Sequence, residues 1–330
     1  MIHSISRPRV FLSRRVPDRV RGELARRFDL DVHESEQPPA RDELLARALG
    51  AVGLVTMLTD RVDDELLDAA GPQLRVVANH AVGFDNVDLP AATRRRILVA
   101  NTPDVLTEAT AELTIALILD LVRRVSEGDR FLRRGERWVW APTFMLGAGL
   151  RGRTLGIVGL GRIGSEVARL ASALGMKIVH TGRTQRDGEI RWLPFDELLR
   201  TADVVSLHVP LSPETHHLIG RRELGVMRAD AFLVNTTRGP VVDEEALAES
   251  LRNGEIAGAA LDVFEREPEV SPGLLALESA VLVPHLGSAT AETREAMGML
   301  CVEALAAVLL DGRTPANALN PEVLSAEARP

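Results

Sequence analysis

The sequence predicts an α/β protein made of two doubly wound parallel-sheet domains. Three observations carry that prediction. Short apolar runs alternate with helical patterns along 330 residues, an order that lays parallel strands side by side with helices on both faces. The stretch Thr154-Leu-Gly-Ile-Val-Gly-Leu-Gly-Arg-Ile-Gly164 joins an apolar strand to a helix through a glycine turn. The alternation breaks at Asn101-Thr-Pro103, after a unit of about one hundred residues, the size of a small domain.

In the first unit, Arg9 to Ser13 reads as a strand, and Pro17 to Phe28 as a helix with proline near its first turn. Strands at Leu30 to Val32 and Gly53 to Thr56 flank a helical pattern from Arg41 to Ala48. Asp63 to Ala70 is a further helix, ended by Gly71-Pro72. Leu74 to Asn79 and Ile97 to Ala100 complete the strands. Beyond the break a long helix runs from Val105 to Arg124, capped by Thr107 or Asp104. A polar helix and Trp138-Val-Trp140 follow. The second unit then alternates strand and helix from Thr154 to about His285. Its strands are Leu155 to Val158, Lys177 to His180, Val204 to His208, Ala231 to Asn235, Gly258 to Leu261 and Val281 to Val283. A last helix spans Ala291 to Leu310.

The glycine turn is the Gly-x-Gly-x-x-Gly pattern of a Rossmann dinucleotide fingerprint, and the helical pattern after it covers Ser165 to Leu174. Gly159 permits the tight turn, Gly161 lets the backbone approach a pyrophosphate, and Gly164 lets helix and strand pack closely. The phosphates would sit on N–H groups at the positive end of the helix dipole. About 20 residues further on, an NAD site carries an acid for the ribose hydroxyls. Here that place reads Gly182-Arg183-Thr184-Gln185-Arg186, with no carboxylate and two arginines. Guanidinium groups bind a 2′-phosphate that a carboxylate would repel. As solvated loop charges the arginines would do nothing for the cofactor. The missing acid and the added bases point the same way, to NADPH, with NADH weaker.

A net charge of −8 argues against nucleic acid and anionic membrane as partners. The Arg94-Arg95-Arg96 cluster reads as a solvated helix end. Cys301, the one cysteine, lies in an apolar helical run; a single cysteine rules out an intrachain disulfide and fits a reducing compartment. The N-terminus lacks the apolar core of a signal peptide, and Leu113 to Val122 is too short to span a membrane. The expected location is the cytoplasm.

Three stretches put a polar residue just past a strand end, where open parallel sheets bind their ligands. Leu233-Val-Asn-Thr-Thr-Arg238-Gly239 runs an apolar strand into an arginine. Its fork can hold a carboxylate and polarise the neighbouring carbonyl of a 2-keto acid. Ala260-Leu-Asp262-Val-Phe-Glu-Arg-Glu267-Pro268 supplies carboxylates, and Val283-Pro284-His285-Leu-Gly287-Ser288 a histidine. A carboxylate beside that histidine would favour the charged imidazole and fix its tautomer. Taken singly, Arg238 also reads as a surface cation, Glu267 as a turn residue and His285 as a satisfied buried histidine.

Together and in this order the motifs resemble the D-isomer-specific 2-hydroxyacid dehydrogenases over nearly the whole chain. The match rests on Val158 to Gly164, Ala202-Asp-Val-Val-Ser-Leu-His-Val-Pro-Leu211, Asn235 to Gly239, Leu261 to Pro268 and Pro284 to Ser288. The resemblance implies Arg238, Glu267 and His285 as catalytic residues and Asp262 on the nicotinamide side. It implies a flavodoxin-like substrate domain, 1–101 plus 290–330, and a Rossmann NAD(P)-binding domain, 102–289. It places cofactor contacts on Gly159, Gly161, Arg162, Ile163, Gly164, Gly182, Arg183, Thr184, His208, Pro210, Thr215, Thr236, Thr237, Arg238, Asp262, His285 and Ser288. Substrate contacts fall on Leu58, Arg238, His285 and the Val82-Gly83 backbone, whose N–H groups would meet the substrate carboxylate. Many relatives carry serine where this chain has Ala81.

Two features are similar to the glyoxylate and hydroxypyruvate reductases: Thr181-Gly-Arg-Thr184, and Thr102-Pro-Asp-Val-Leu-Thr-Glu-Ala-Thr-Ala-Glu-Leu113. In that subgroup a tryptophan after a dimerisation arm reaches the partner's site. Trp140, ahead of Trp138, is the candidate, with dimer packing as the other reading. His80 reads as structural, and His216 and His217 as surface residues. The resemblance therefore implies a homodimeric, NADPH-dependent oxidoreductase. Hydride would pass to a small 2-keto acid, with Arg238 binding substrate, His285 giving the proton and Glu267 assisting. Domain closure at the interdomain crossings would exclude water. No residue spacing calls for a metal. The competing readings are a co-repressor-like dinucleotide-binding module and dehydrogenases of phosphoglycerate, D-lactate, formate or phosphite. The clustering of Arg238, Glu267 and His285 disfavours the first. The Arg183 region and the lack of an extra C-terminal domain weigh against several of the rest.

Overall fold

The computed structural model describes residues 7–183 and 190–324. The chain forms two compact units, Met1–Leu106 with Thr290–Pro330, and Thr107–Ala289.

The first unit begins β1 (Arg9–Leu12), α1 (Asp18–Arg27), β2 (Asp29–Val32), α2 (Arg41–Ala48) and β3 (Gly53–Thr56). It continues α3 (Asp64–Ala70), β4 (Val76–Asn79), α4 (Leu89–Arg94) and β5 (Leu98–Ala100). The strands pair in parallel in the order β2-β1-β3-β4-β5, the flavodoxin-like doubly wound order. Alternation along β1 assigns its faces. Val10 and Leu12 pack with Val20 and Leu24 of α1, and Phe11 packs with Leu44, Leu66 and Leu67 of α2 and α3. Asp63 and Asp88 cap α3 and α4 by accepting from Leu66 N–H and Ala91 N–H. The helix α4 ends in the basic cluster, where Arg95 pairs with Asp64 and Asp68.

The second unit opens with α5 (Thr107–Arg123) and α6 (Val125–Arg133). Then come β6 (Thr154–Val158), α7 (Arg162–Ala173), β7 (Lys177–Thr181), β8 (Arg191–Trp192), α8 (Phe195–Thr201) and β9 (Val204–Leu207). It ends α9 (Arg221–Val226), β10 (Phe232–Asn235), α10 (Glu244–Asn253), β11 (Gly258–Leu261), α11 (Pro272–Leu275) and β12 (Ala280–Leu282). The order β12-β11-β10-β9-β6-β7-β8 is parallel throughout. Counted outward from β6, it is the Rossmann order extended by one strand. The chain then returns to the first unit through α12 (Ala291–Leu309), whose Cys301, Val302 and Leu305 join the core around β1.

The sequence-based expectation misses α4 (Leu89–Arg94) and starts α5 at Val105, two residues before Thr107. The helix after the glycine turn starts at Arg162, directly after Gly161, and not at Ser165, because helical dihedrals begin before apolar periodicity shows. The two-residue β8 has no pattern of its own; its pairing of Val179 with Arg191 defines it. Among the described residues, no helix is long and apolar enough to cross a membrane.

Candidate active site

The strand order of the second unit's parallel sheet reverses between β6 and β9. Ligands of such sheets sit at that switch point, outside the carboxyl ends of the strands. The chain turns at this edge are tight. Gly159 has φ +96, and a Cβ there would lie 2.6 Å from the His208 carbonyl oxygen. A Cβ on Gly164 would lie 2.3 Å from the Gly159 carbonyl oxygen, so α7 packs against the turn itself. Among the described residues, a Cβ on Gly161 would meet nothing within 4 Å, and no side chain caps α7. Its first N–H groups therefore face open space at the positive end of a twelve-residue helix. That is the cradle a pyrophosphate requires.

Beyond β10, Asn235 shapes the loop that carries Arg238. Its Oδ1 accepts from Thr237 N–H at 3.0 Å and Thr237 Oγ1–H at 2.8 Å, while its Nδ2 donates to the Arg238 carbonyl at 2.9 Å. Arg238 Nη1 donates to the Thr237 carbonyl at 2.9 Å, and the side chain is half-buried. The next residue fits only as glycine, since a Cβ on Gly239 would fall 1.8 Å from the Phe264 carbonyl carbon. The Arg238 loop is thereby pressed backbone to backbone against the loop after β11.

The loop after β11 and the turn after β12 are laced together. The Asp262 carbonyl accepts from His285 N–H at 2.8 Å. The Asp262 carboxylate accepts from Leu286 N–H and, at 2.8 Å, from Gly287 N–H. His285 is held with φ +53, a left-handed conformation uncommon outside glycine. Its Nδ1–H donates to Glu267 Oε2 at 2.8 Å, and Glu267 Oε1 accepts from Phe264 N–H at 3.1 Å. Burial raises the Asp262 carboxyl against the hydrogen bonds it accepts. Burial also works to raise the Glu267 carboxyl, but the hydrogen bond from His285 and its charge prevail and hold it below the usual range. An oriented imidazole backed by a carboxylate is the arrangement of a general acid.

The other sequence-predicted residues of this unit fall in several loops. Gly182 and Arg183 are exposed at the end of β7; Thr184 and Arg186 lie outside the described residues. His208 follows β9, its Nε2 2.8 Å from Ser206 Oγ and its buried Nδ1 without a hydrogen-bond partner among the described residues. Burial pushes this imidazole down to about 3. Thr215 closes the loop after β9, donating to the Pro210 carbonyl at 2.7 Å and accepting from Ser212 N–H. The Thr236 hydroxyl meets Thr114 Oγ1 at 3.0 Å, and Ser288 is half-buried. Trp138 stacks on Phe144, whereas Trp140 is 77% exposed. No group of three metal-ligating side chains occurs among the described residues.

In the first unit, Leu58 is half-buried in the turn after β3, and Val82 and Gly83 follow β4. Three asparagines outside the recognised motifs hold the latter loop and its neighbours. Asn79 Nδ2 donates to the Gly83 carbonyl at 3.2 Å, Asn101 Nδ2 donates to the Val82 carbonyl at 2.7 Å, and Asn86 Nδ2 donates to the carbonyls of Met57 and Asp60. Asparagine at a strand end followed by glycine within a few residues is the local signal for such a turn. Asn235 carries the same signal. His80 is buried in the same loop, its Nε2 without a hydrogen-bond partner among the described residues.

The model of the D-isomer specific 2-hydroxyacid dehydrogenase, NAD binding domain, matches residues 115–287. The chain is 49% identical to a glyoxylate reductase of Aeropyrum pernix, over 97% of this chain and 98% of that one. A protein of Thermus thermophilus superposes with a TM-score of 0.89 at 48% identity, covering 94% and 99% of the two chains. An NADPH-dependent glyoxylate/hydroxypyruvate reductase of Sinorhizobium meliloti, solved with NADP and malonate, superposes with a TM-score of 0.83 at 36% identity, covering 98% of each. With a Rossmann sheet, an open glycine cradle and likeness over nearly its full length, the chain is an oxidoreductase with a nicotinamide-dinucleotide domain, and it belongs to the D-isomer specific 2-hydroxyacid dehydrogenase family.

Proposed function

We propose that this chain reduces small 2-keto acids, glyoxylate to glycolate and hydroxypyruvate to D-glycerate, with NADPH preferred over NADH. The observation that carries the reading is the 2.8 Å contact of His285 Nδ1 with Glu267 Oε2, at the sheet edge that also bears the open glycine cradle. The names of the relatives and the arginine at position 183 support the choice of substrate and cofactor.

Gly159, Gly161, Arg162, Ile163 and Gly164 would hold the pyrophosphate, and Gly182, Arg183 and Thr184 the adenosine ribose and its phosphate. His208, Pro210, Thr215, Thr236, Thr237, Asp262 and Ser288 would line the rest of the cofactor's path. When bound, the reduced nicotinamide supplies a hydride to the carbonyl carbon. Arg238 grips the carboxylate and carbonyl oxygen of the keto acid and offsets the charge that develops on that oxygen. His285 engages Glu267 through Nδ1, so Nε2 is the nitrogen that delivers the proton to the nascent alkoxide. Glu267 keeps the ring oriented through that hydrogen bond. In the first unit, Leu58 and the Val82-Gly83 backbone serve the substrate. Ala81 removes the hydroxyl contact that a serine would make there.

The reading includes a homodimer and a cytoplasmic location. Leu132, Trp138, Val139, Trp140 and Leu146 leave an exposed apolar arm, the kind of surface that marks a protein contact, and Trp140 would reach the partner's site. A single cysteine, buried in the core, fits a reducing compartment.

The deciding experiment is steady-state reduction of glyoxylate and hydroxypyruvate with NADPH and NADH in parallel. Rapid turnover with NADPH ahead is expected. Tight dinucleotide binding with no turnover on either acid would overturn the reading.

A further inference from the structure

The loop that carries Glu267 is fastened to the segment that carries Arg238 by two carboxylates outside the reacting groups. Glu244 opens α10, six residues after Arg238. Its N–H donates to Glu265 Oε1 at 3.0 Å, and in return Glu265 N–H donates to Glu244 Oε1 at 2.5 Å. Glu265 stands two residues before Glu267. His217 joins the same bracket. Its N–H donates to the Pro240 carbonyl at 2.8 Å, and its Nε2 lies 3.1 Å from Glu265 Oε1. One histidine, with φ +50, thus reaches both the Arg238 segment and the Glu267 loop.

This arrangement is costly. Glu244 is 6% exposed, and burial pushes its carboxyl up, with the charge of Glu265 adding to the same direction. Two like charges side by side would separate if nothing required them. Apolar packing alone would hold the two segments together but leave them able to slide. Hydrogen bonds running in opposite directions between the same two residues fix the register. The backbone contact of Gly239 with Phe264 leaves no slack beneath them.

We propose that Glu244 and Glu265 are positioning residues whose reciprocal bracket sets the separation of Arg238 from the Glu267–His285 pair. The proposal rests on the roles given above to those three residues. The bracket acts by holding Glu267 at hydrogen-bond distance from His285 Nδ1 while Arg238 is held in register with both.

The test compares Glu244→Ala with Glu244→Gln, whose amide oxygen still accepts from Glu265 N–H. The first readout needs no substrate: the downfield proton of His285 Nδ1–H in histidine-labelled protein, assigned by its loss in His285→Gln. It is expected sharp in the wild type and in Glu244→Gln, and broadened or shifted upfield in Glu244→Ala. The second readout is keto-acid reduction. Glu244→Ala should lower kcat by about tenfold to a hundredfold, with the KM for NADPH little changed, and Glu244→Gln should restore it. A folded Glu244→Ala that keeps both the proton signal and kcat overturns the proposal, as does a folded Glu244→Gln that loses as much as the alanine. If Glu244→Ala does not fold, Glu265→Ala, at a half-buried position, removes one arm of the bracket and is judged by the same outcomes. A wild type that shows the proton signal but reduces neither keto acid sinks the functional reading alone, and the bracket is then judged on the proton.

Discussion

His285 Nδ1 and Glu267 Oε2 lie 2.8 Å apart, although eighteen residues and one strand separate them in sequence. Asp262 makes the pairing possible: its carbonyl and carboxylate capture three successive backbone N–H groups, from His285 to Gly287. The histidine is thus presented by a left-handed turn whose conformation is held from outside. Strain of this kind persists only where the surroundings over-determine it.

Removing either member of the pair should slow the proton-transfer step. His285→Gln is expected to lower kcat by about a hundredfold or more, with KM for the keto acid changed far less. Glu267→Gln should also alter acid stability. The folded Glu267 carboxyl lies below its usual value of 4.5, so its contribution is complete above that value and is lost as pH falls through the folded one. Denaturation curves across that range should show a shallower loss in the variant. Equal acid sensitivity in both proteins would contradict the assigned interaction.

Arg238 is expected to act on binding and turnover together. Arg238→Lys keeps a charge but loses the planar fork. A drop in kcat/KM of roughly a hundredfold should follow, carried by KM as well as kcat. A lysine variant with wild-type kinetics would show that a point charge suffices and that no bidentate grip exists.

The proposed preference for NADPH rests on Arg183, exposed at the end of β7. Arg183→Ala should raise the KM for NADPH by roughly tenfold or more, the worth of one charge-assisted contact, and leave that for NADH nearly unchanged. Parallel titration of the two cofactors reads the difference. An unchanged ratio would make Arg183 a bystander.

His80 offers a test in the first unit. Burial, with the charge of Arg294 behind it, pushes this imidazole from 6.5 down to about 4. The unfolded chain therefore takes up the proton first as acid is added. The stability tied to neutral His80 is whole above 6.5 and drains as pH falls toward the folded value, by up to about 3 kcal/mol. His80→Phe should flatten that part of the stability curve. The same slope in variant and wild type would show that His80 does not titrate between the two states.

Much of this was legible in the sequence because it is written locally. A strand buried on both faces must be apolar, and Gly53–Thr56 is legible to the residue. The glycine turn declares itself because Gly159 needs a positive φ and Gly164 sits against backbone. Strand order tells where ligands gather, so polar residues at the ends of β10, β11 and β12 stand out as candidates. The two-residue β8 does not, since an edge strand so short exists only through its partner.

Tertiary structure alone decided how those candidates stand to one another. Spacing alone sets Glu265 and Glu267 two residues apart with no sign of which faces His285, and only the family resemblance singles out Glu267. The fold turns Glu267 toward the imidazole and Glu265 toward Glu244 and His217. Likewise His217, which reads as a surface residue, is exposed yet tied into the site's frame. Local pattern encodes which residues are buried and where the chain turns. Contacts between residues far apart in the chain depend on how closely two loops can approach. Here that approach was set by the absence of a single Cβ at Gly239.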